Sequence, residues 1–442
     1  MKSQDPFLAA WEATLARKGD VPAIFDTQGE VVRTFAGIEA RAREFQEKLR
    51  ERQPGDAQAI DLGNDPDWPS LLLACFRLEL VALPLDDSIG EAQREAALQM
   101  MSANEWRERA PALIKLTSGT TAAPRGILFQ SAQLVADCVQ ICETMGITDA
   151  DVNFGVIPVS HSYGLSNLIT PLLLRGVPLI LSRDRMPRAV LDDLARTGAT
   201  VFPGMPVFYQ AFTGMKAIPD LPRLRLCISA GAPLLLAVAR QFRAQSGLAI
   251  HSFYGSSECG GICYDREARL EEAGFVGGPM AGATIRLLEP AGEPSQIEVL
   301  SEAAGDGYFP TADPEKLCAG RFVPDDLLLQ TVEGYRIAGR VSDVINVAGK
   351  KVSPAEVEAT LLACEGVREA VVFGRGSALR NEEVAACLVA DVGVTETALL
   401  EFCRRNLSGW QVPKRIFFLA EMPINERGKI SRRALAKRFS NS

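Results

Sequence analysis

Between Leu116 and Gly126 the chain reads LTSGTTAAPRG. Thr117, Ser118, Gly119, Thr120 and Thr121 set hydroxyls beside a glycine, and Arg125 adds a fixed positive charge. Backbone amides and hydroxyls in such a turn can point at phosphate oxygens, as other anion nests do. A solvated polar turn between two core elements would have the same composition, so the stretch alone leaves both readings open. It is not the common P-loop, because the Gly-Lys-Ser/Thr ending is absent. Other chemistries find little support. Only two histidines occur, His161 and His251, which argues against a multi-histidine metal site. The ten cysteines form no C-x-x-C pair. Most, such as Cys75, Cys138, Cys227, Cys364 and Cys387, sit inside apolar segments and read as small buried hydrophobes of a reducing cytosol.

A phosphate loop needs a strand to deliver it, and IKL (114–116) is a candidate. GVIPV (155–159), VPLIL (177–181), TVFPG (200–204) and LRLCISA (224–230) are further buried strands by pattern. Helical patterns lie between them. In SAQLVADCVQICETMG, Ser131 is the expected cap, Leu134, Val135, Cys138, Ile141, Cys142 and Met145 recur on one face, and Gly146 ends the helix. This alternation implies an α/β fold with a mainly parallel sheet covered by helices. From about Gly274 the texture turns to Gly, Pro and short alternating runs, expected to form a small antiparallel barrel or meander over about 267–339. After GYRIAGRVSD it changes again. SPAEVEATLLAC places Ser353 as cap, Pro354 at the first helical position and Glu356 as the partner of a capping box. Val357, Leu361 and Cys364 form its inner face. EAVVFG, EVAACLVA, a helix near 396–406 and RIFFLAEMP complete a small α+β domain. The expected boundary lies between Arg340 and Val344, giving a large domain over 1–339 and a small one over 344–442.

The overall balance is that of a soluble globular protein. The 442 residues exceed one ordinary core. A net charge of −8 argues against a nucleic-acid surface, which needs a basic face. The start, MKSQDPFLAAWEATLARKGD, has no long apolar run, and no stretch approaches the roughly 18 apolar residues of a membrane span. A cytoplasmic location is expected.

Four further stretches follow the loop in order: FYGSSECGG (253–261), RFVPDDLLL (321–329), GYRIAGRVSDVINVAGKKVSPAEVE (334–358) and PINERGKISRRAL (423–435). Together they resemble the adenylate-forming superfamily of acyl-CoA synthetases, peptide-synthetase adenylation domains and luciferases, over nearly the whole chain. The resemblance implies a two-step reaction. A carboxylate attacks the α-phosphate of ATP, giving an acyl-adenylate and pyrophosphate, and a thiol of coenzyme A or of carrier-protein phosphopantetheine then takes the acyl group. It also implies roles. Thr117, Ser118, Gly119, Thr120 and Thr121 would cradle the β- and γ-phosphates with Arg125 nearby. Glu258 would hold Mg²⁺. Ser257 stands where the family usually has threonine beside the α-phosphate, following Gly255. Tyr254 would stack on adenine, and Gly231-Ala232-Pro233 would line its edge. Asp326 would bind the ribose, helped by Arg340; Asp325 competes for that role. Lys429 would reach the carboxylate and α-phosphate. Residues 340–343 would form a hinge at Asp343, about which the small domain swings. Ala348, Gly349 and Lys350 would then line the pantetheine channel. His161 resembles a position at the floor of the acyl pocket, with a structural histidine as the competing reading. Tyr163, Phe208, Phe253, Gly260, Gly261 and Ile262 are expected wall positions, the glycine pair leaving room for a chain or a flat ring.

The sequence also departs from that pattern. Ala122 replaces a common glycine, Arg125 the usual lysine, and the segment SIGEAQREAALQMMSANEWRERAPA, which looks mostly helical, is shorter than the family's. Ser162 follows His161 where amino-acid activators usually carry aspartate, and an unpaired buried ammonium is costly. A fatty or aromatic acid is therefore expected, with CoA as acceptor. An acyl-adenylate ligase loading an acyl carrier protein and a non-catalytic nucleotide- or acyl-binding relative are the alternatives.

Overall fold

The computed structural model describes residues 4–102, 110–117, 125–269, 272–348, 350–377, 381–423 and 432–439. They fall into two compact units. One comprises Met1–Arg286, Glu298–Val323 and Val332–Tyr335; the other Leu287–Ile297, Pro324–Thr331 and Arg336–Ser442.

The first unit is built on two sheets. In one, the strands Pro22–Phe25, Leu179–Leu181, Asn153–Gly155, Val201–Gly204, Leu226–Ser229 and Ile250–Ser256 lie side by side, all parallel. The expected α/β architecture is therefore present. Gly260–Tyr264 and Phe275–Pro279 follow antiparallel. The other sheet sets Ala57–Ile60, Val81–Pro84 and Leu113–Thr117 in parallel, then Arg125–Phe129 and Gly307–Phe309 antiparallel. Buried aromatics fill the space behind the first sheet: Phe202 lies 5.7 Å from Tyr209 and 6.0 Å from Phe212, ring centre to ring centre. The segment expected to be helical carries the helix Glu91–Ser102, which seats Ala97 and Met101 against Val81, Leu83 and Ile114.

Several local expectations are corrected. The strand at GVIPV ends at Gly155 and begins at Asn153. Pro158 has no N–H for a ladder, and the Asn64 side chain takes over the pairing. Its Nδ2 donates to the carbonyls of Gly155, Ile157 and Ser182 at 3.3, 3.2 and 3.0 Å, and its Oδ1 accepts from the Val159 amide at 3.0 Å. The helix Ser131–Met145 is capped by Gln130, not Ser131. The Gln130 amide donates to Gln133 Oε1 at 2.7 Å, while Ser131 is buried as the first helical residue. Gly146 ends it in a left-handed conformation, φ 62°. The strands after 274 run in antiparallel pairs, and among the described residues they close no barrel.

In the second unit, Val367–Ser377 pairs along its length with Asn381–Ala390, which is flanked by Arg415–Phe418 and by Ile345–Val347, itself paired with Lys350–Val352. The helices Pro354–Leu362 and Glu396–Asn406 pack Val357, Leu361, Leu399 and Cys403 on Val372, Ala386 and Leu388. Ser353 does occupy the cap position, but its hydroxyl donates to the Ala338 carbonyl instead, and Glu356 accepts from Gln411 at 2.7 Å. The capping box expected there is not formed. The turn at Ala348 has φ 51°, a left-handed conformation that alanine adopts only at a cost.

Candidate active site

Parallel α/β sheets bind ligands outside the carboxyl ends of their strands. In the first unit those ends carry most of the expected residues. Asn153–Gly155 leads to His161 and Tyr163, Val201–Gly204 to Phe208, Leu226–Ser229 to Gly231-Ala232-Pro233, and Ile250–Ser256 to Ser257 and Glu258. Gly231 turns the chain with φ 84°, and the three turn residues are exposed. Tyr254 is buried and Gly255 exposed. A Cβ on Gly255 would meet the Gly260 carbonyl at 2.6 Å, so the hairpin can close only on glycine there. The Ser256 hydroxyl accepts from the amides of Glu258 and Cys259, both at 3.2 Å, which fixes the loop that carries Glu258. Ser257 accepts from the Ser162 hydroxyl at 2.9 Å, tying that loop to the segment after His161.

Glu258 is half-buried, and burial pushes its carboxyl above the ordinary value against hydrogen bonds from its own amide and from Tyr308. The Tyr308 hydroxyl donates to Glu258 Oε1 at 3.1 Å. The Arg125 guanidinium lies over the Tyr308 ring, 3.5 Å from its centre, and 3.5 Å from Asp313. Lys115, 5% exposed, stands on the strand that leads into the hydroxyl-rich loop, with its ammonium over the Phe129 ring at 4.3 Å. Burial pulls that ammonium down from its ordinary value, against the carboxylates of Asp137 and Glu258. Asp137 is buried; it accepts from Ser166 at 2.5 Å and from the Gly261 amide at 3.2 Å. Lys115, Asp137 and Tyr308 were not singled out from the sequence. A lysine inside the apolar run LIKLT was the available signal for the first; the other two gave none.

The acyl side differs from expectation in two respects. Gly260 and Gly261 leave no room beside them. A Cβ on Gly260 would meet Asp137 Oδ1 at 2.0 Å, and one on Gly261 would meet Met280 and Phe253 at 3.0 Å. The glycines allow close packing rather than an open wall. The His161 side chain is 62% exposed, with Nε2 3.3 Å from Asp86 Oδ2, rather than buried at the bottom of the site. Tyr163 and Phe253 do face each other, ring centres 5.9 Å apart, and the Tyr163 hydroxyl donates to the Gly204 carbonyl at 3.2 Å. Phe208 and Ile262 are buried. Gly164 follows at the start of two consecutive π-helical turns, Leu165–Ile169 and Pro171–Arg175. A Cβ on Gly164 would stand 2.1 Å from the Pro158 carbonyl oxygen. Because backbone cannot step aside as a side chain can, Gly164→Ala should cost about 3 kcal/mol of stability. Denaturant unfolding measures this, and an unchanged midpoint would show that the backbone yields.

In the second unit, Arg340 Nε donates to Asp326 Oδ1 at 2.9 Å, while the Asp325 backbone carbonyl accepts from Val341 at 2.8 Å. Asp343 is held by Arg432 at 2.8 Å. Arg432 also donates to both Glu358 oxygens, at 2.8 and 2.9 Å, and to the Val372 carbonyl at 3.0 Å. Burial pushes the Glu358 carboxyl up against the pull of Arg432. Ser118, Gly119, Thr120, Thr121, Ala122, Gly349 and Lys429 lie outside the described residues, as does the side chain of Thr117.

Comparison with known proteins decides the family. The AMP-binding enzyme model matches residues 97–305, and the model of the AMP-binding enzyme C-terminal domain matches residues 356–429. The chain belongs to the AMP-binding enzymes. As one of them it is an ATP-dependent, AMP-forming acid–thiol ligase. This AMP-binding enzyme is 28% identical to a feruloyl-CoA synthase of an Amycolatopsis species, over 98% of its own length and 99% of the relative's. It is 31% identical to a benzoate–CoA ligase of Thauera aromatica, over 72% and 64%. Its fold matches ATP-bound MatB from Rhodopseudomonas palustris with a TM-score of 0.85 and 26% identity, covering 98% and 99% of the two chains. Among the described residues no helix is long and apolar enough to cross a membrane.

Proposed function

We propose that this AMP-binding enzyme adenylates an aromatic carboxylic acid and transfers the acyl group to coenzyme A. The carrying observation is the Tyr163–Phe253 pair at the carboxyl ends of the parallel strands, together with the filled space at Gly260 and Gly261. Two rings 5.9 Å apart offer a flat acid offset or edge contacts, while the space beside the glycine pair is taken by Asp137, Met280 and Phe253. The names of the feruloyl-CoA synthase and the benzoate–CoA ligase support the same class.

In this reading Arg125 and the loop from Thr117 to Thr121 orient the β- and γ-phosphates, and Tyr254 with the 231–233 turn takes the adenine. Asp326, steadied by Arg340, accepts from the ribose hydroxyls. A carboxylate oxygen of the acid then attacks the α-phosphorus as the bond to pyrophosphate breaks, with Lys429 offsetting the charge that two approaching anions develop. The sulfur of the acceptor next attacks the acyl carbon, and AMP leaves. Residues 340–343 act as the hinge for the small domain over 344–442, and Gly349 flanks the thiol's path.

Glu258 fits Mg²⁺. It is a half-buried carboxylate that a cation would relieve, and among the described residues no group of three His, Cys, Asp or Glu side chains offers a closed metal cage. A single carboxylate with phosphate oxygens and water suits this hard ion, which when bound neutralises phosphate charge.

The test is acid-dependent exchange of labelled pyrophosphate into ATP. Benzoate- or cinnamate-type acids should support exchange at least roughly tenfold faster than long-chain fatty acids, since tenfold requires only about 1.4 kcal/mol of preference. A fatty-acid preference would overturn the aromatic assignment. Carrier-protein loading is the second reading, favoured by 28% identity to a 3,4-dihydroxybenzoate–[aryl-carrier protein] ligase of Bacillus anthracis over 74% of this chain. Offering free CoA and a phosphopantetheinylated aryl-carrier domain in parallel separates the two.

A further inference from the structure

We infer that Tyr308 is a positioning residue of the nucleotide site, holding the phosphate-side cation and the candidate metal carboxylate in one rigid piece. The inference rests on the nucleotide-binding part of the proposed function and not on the identity of the acid. Its two ends are separate contacts. The hydroxyl donates to Glu258 Oε1 at 3.1 Å, and the ring face carries the Arg125 guanidinium 3.5 Å from its centre. Tyr308 itself is fixed. It is 7% exposed, and its strand pairs with the strand that begins at Arg125, in the register Tyr308↔Ile127. Asp313 approaches Arg125 at 3.5 Å, so the cation has a carboxylate beside it as well as a ring beneath it.

The arrangement gives a physical use to arginine at position 125. A planar guanidinium stacks on an aromatic face over its whole area, while an ammonium is a point charge with no plane to align. The stack fixes where the positive charge sits before any phosphate arrives, and the hydroxyl does the same for the carboxylate. The bland alternative is that Tyr308 is an aromatic filler whose hydroxyl happens to find a partner.

The two ends can be cut separately. Tyr308→Phe keeps the ring and removes the hydroxyl. Tyr308→Leu removes both. Arg125→Lys keeps the charge and removes the plane. The readout is ATP binding by calorimetry in the absence of any acid, titrated against Mg²⁺, on variants whose thermal unfolding matches the parent's. For Tyr308→Phe, ATP affinity at saturating Mg²⁺ should stay within about twofold, while the Mg²⁺ needed for half-maximal ATP binding rises at least roughly tenfold, as expected for one lost hydrogen bond to a charged group. For Tyr308→Leu and Arg125→Lys, ATP affinity should fall roughly fivefold even at saturating Mg²⁺. The double variant should be no weaker than Tyr308→Leu alone, because both changes remove the same stack. A Tyr308→Phe titration identical to the parent's, or fully additive losses in the double variant, would overturn the inference. If the parent itself bound no ATP, the functional reading would fall and the inference with it. Normal ATP binding with no exchange on aromatic acids would leave this inference standing and remove only the acid assignment.

Discussion

Lys429→Ala should slow pyrophosphate exchange by roughly 10²–10⁴-fold while ATP binding changes only a few-fold. The magnitude follows from removing one preorganised charge aimed where negative charge gathers in the transition state. The substitution should also separate the half-reactions. Transfer from pre-formed acyl-adenylate to CoA makes its new bond at the acyl carbon, in the pose where the loop of Ala348 to Lys350 rather than Lys429 faces the site, so its rate should stay close to the parent's. Measuring exchange and single-turnover acyl transfer on the same preparation tests both statements. Near-normal exchange would remove the role given to Lys429, and an equal loss in both half-reactions would indicate a general structural part instead.

Glu258→Gln is the second large effect expected. The amide oxygen can still accept from Tyr308, whose hydroxyl lies 3.1 Å from the carboxylate, so the loop should keep its shape. What disappears is one negative charge in a partly water-excluded corner. Lys115 then loses one of the two carboxylates that oppose its desolvation, keeping Asp137. Exchange should fall about 10²–10³-fold, the range seen when one strong electrostatic contact in an active site is deleted. Raising Mg²⁺ into the tens of millimolar should recover part of the loss if Glu258 holds the ion. A loss untouched by Mg²⁺ would separate Glu258 from the metal.

The two substitutions also mark how far the sequence could be read. Strand–helix alternation was legible because buried parallel strands are continuous apolar runs, and the parallel sheet followed from it. Helix ends were read less well. Ser131 and Ser353 had the right residue types for caps, but Gln130 took one task, and the Ala338 carbonyl drew away the hydroxyl of the other. Capping competes with tertiary hydrogen bonding, and a local pattern carries no record of the competitor. The glycine pair 260–261 misled for the same reason. Its neighbour Asp137 lies 124 positions from Gly261 in the chain, so a crowded backbone looked like free space. Motif residues such as Glu258 and Asp326 were visible through their resemblance to a family. Tyr308 and Arg432 were not, because what marks them is the set of distant groups they join.

The segment from Val156 to His161 belongs to no helix or strand, and by that criterion it would be a loose connection before the Tyr163 side of the site. Asn64 makes it otherwise. Its one side-chain amide pins two carbonyls and one N–H across this connection and its strand. In hydrogen–deuterium exchange the Val159 amide should therefore persist as long as amides of the neighbouring strands, a protected proton within irregular backbone. Substrates would meet a wall at this point that is already set, and any adjustment to the acid would fall to side-chain rotation rather than to loop closure.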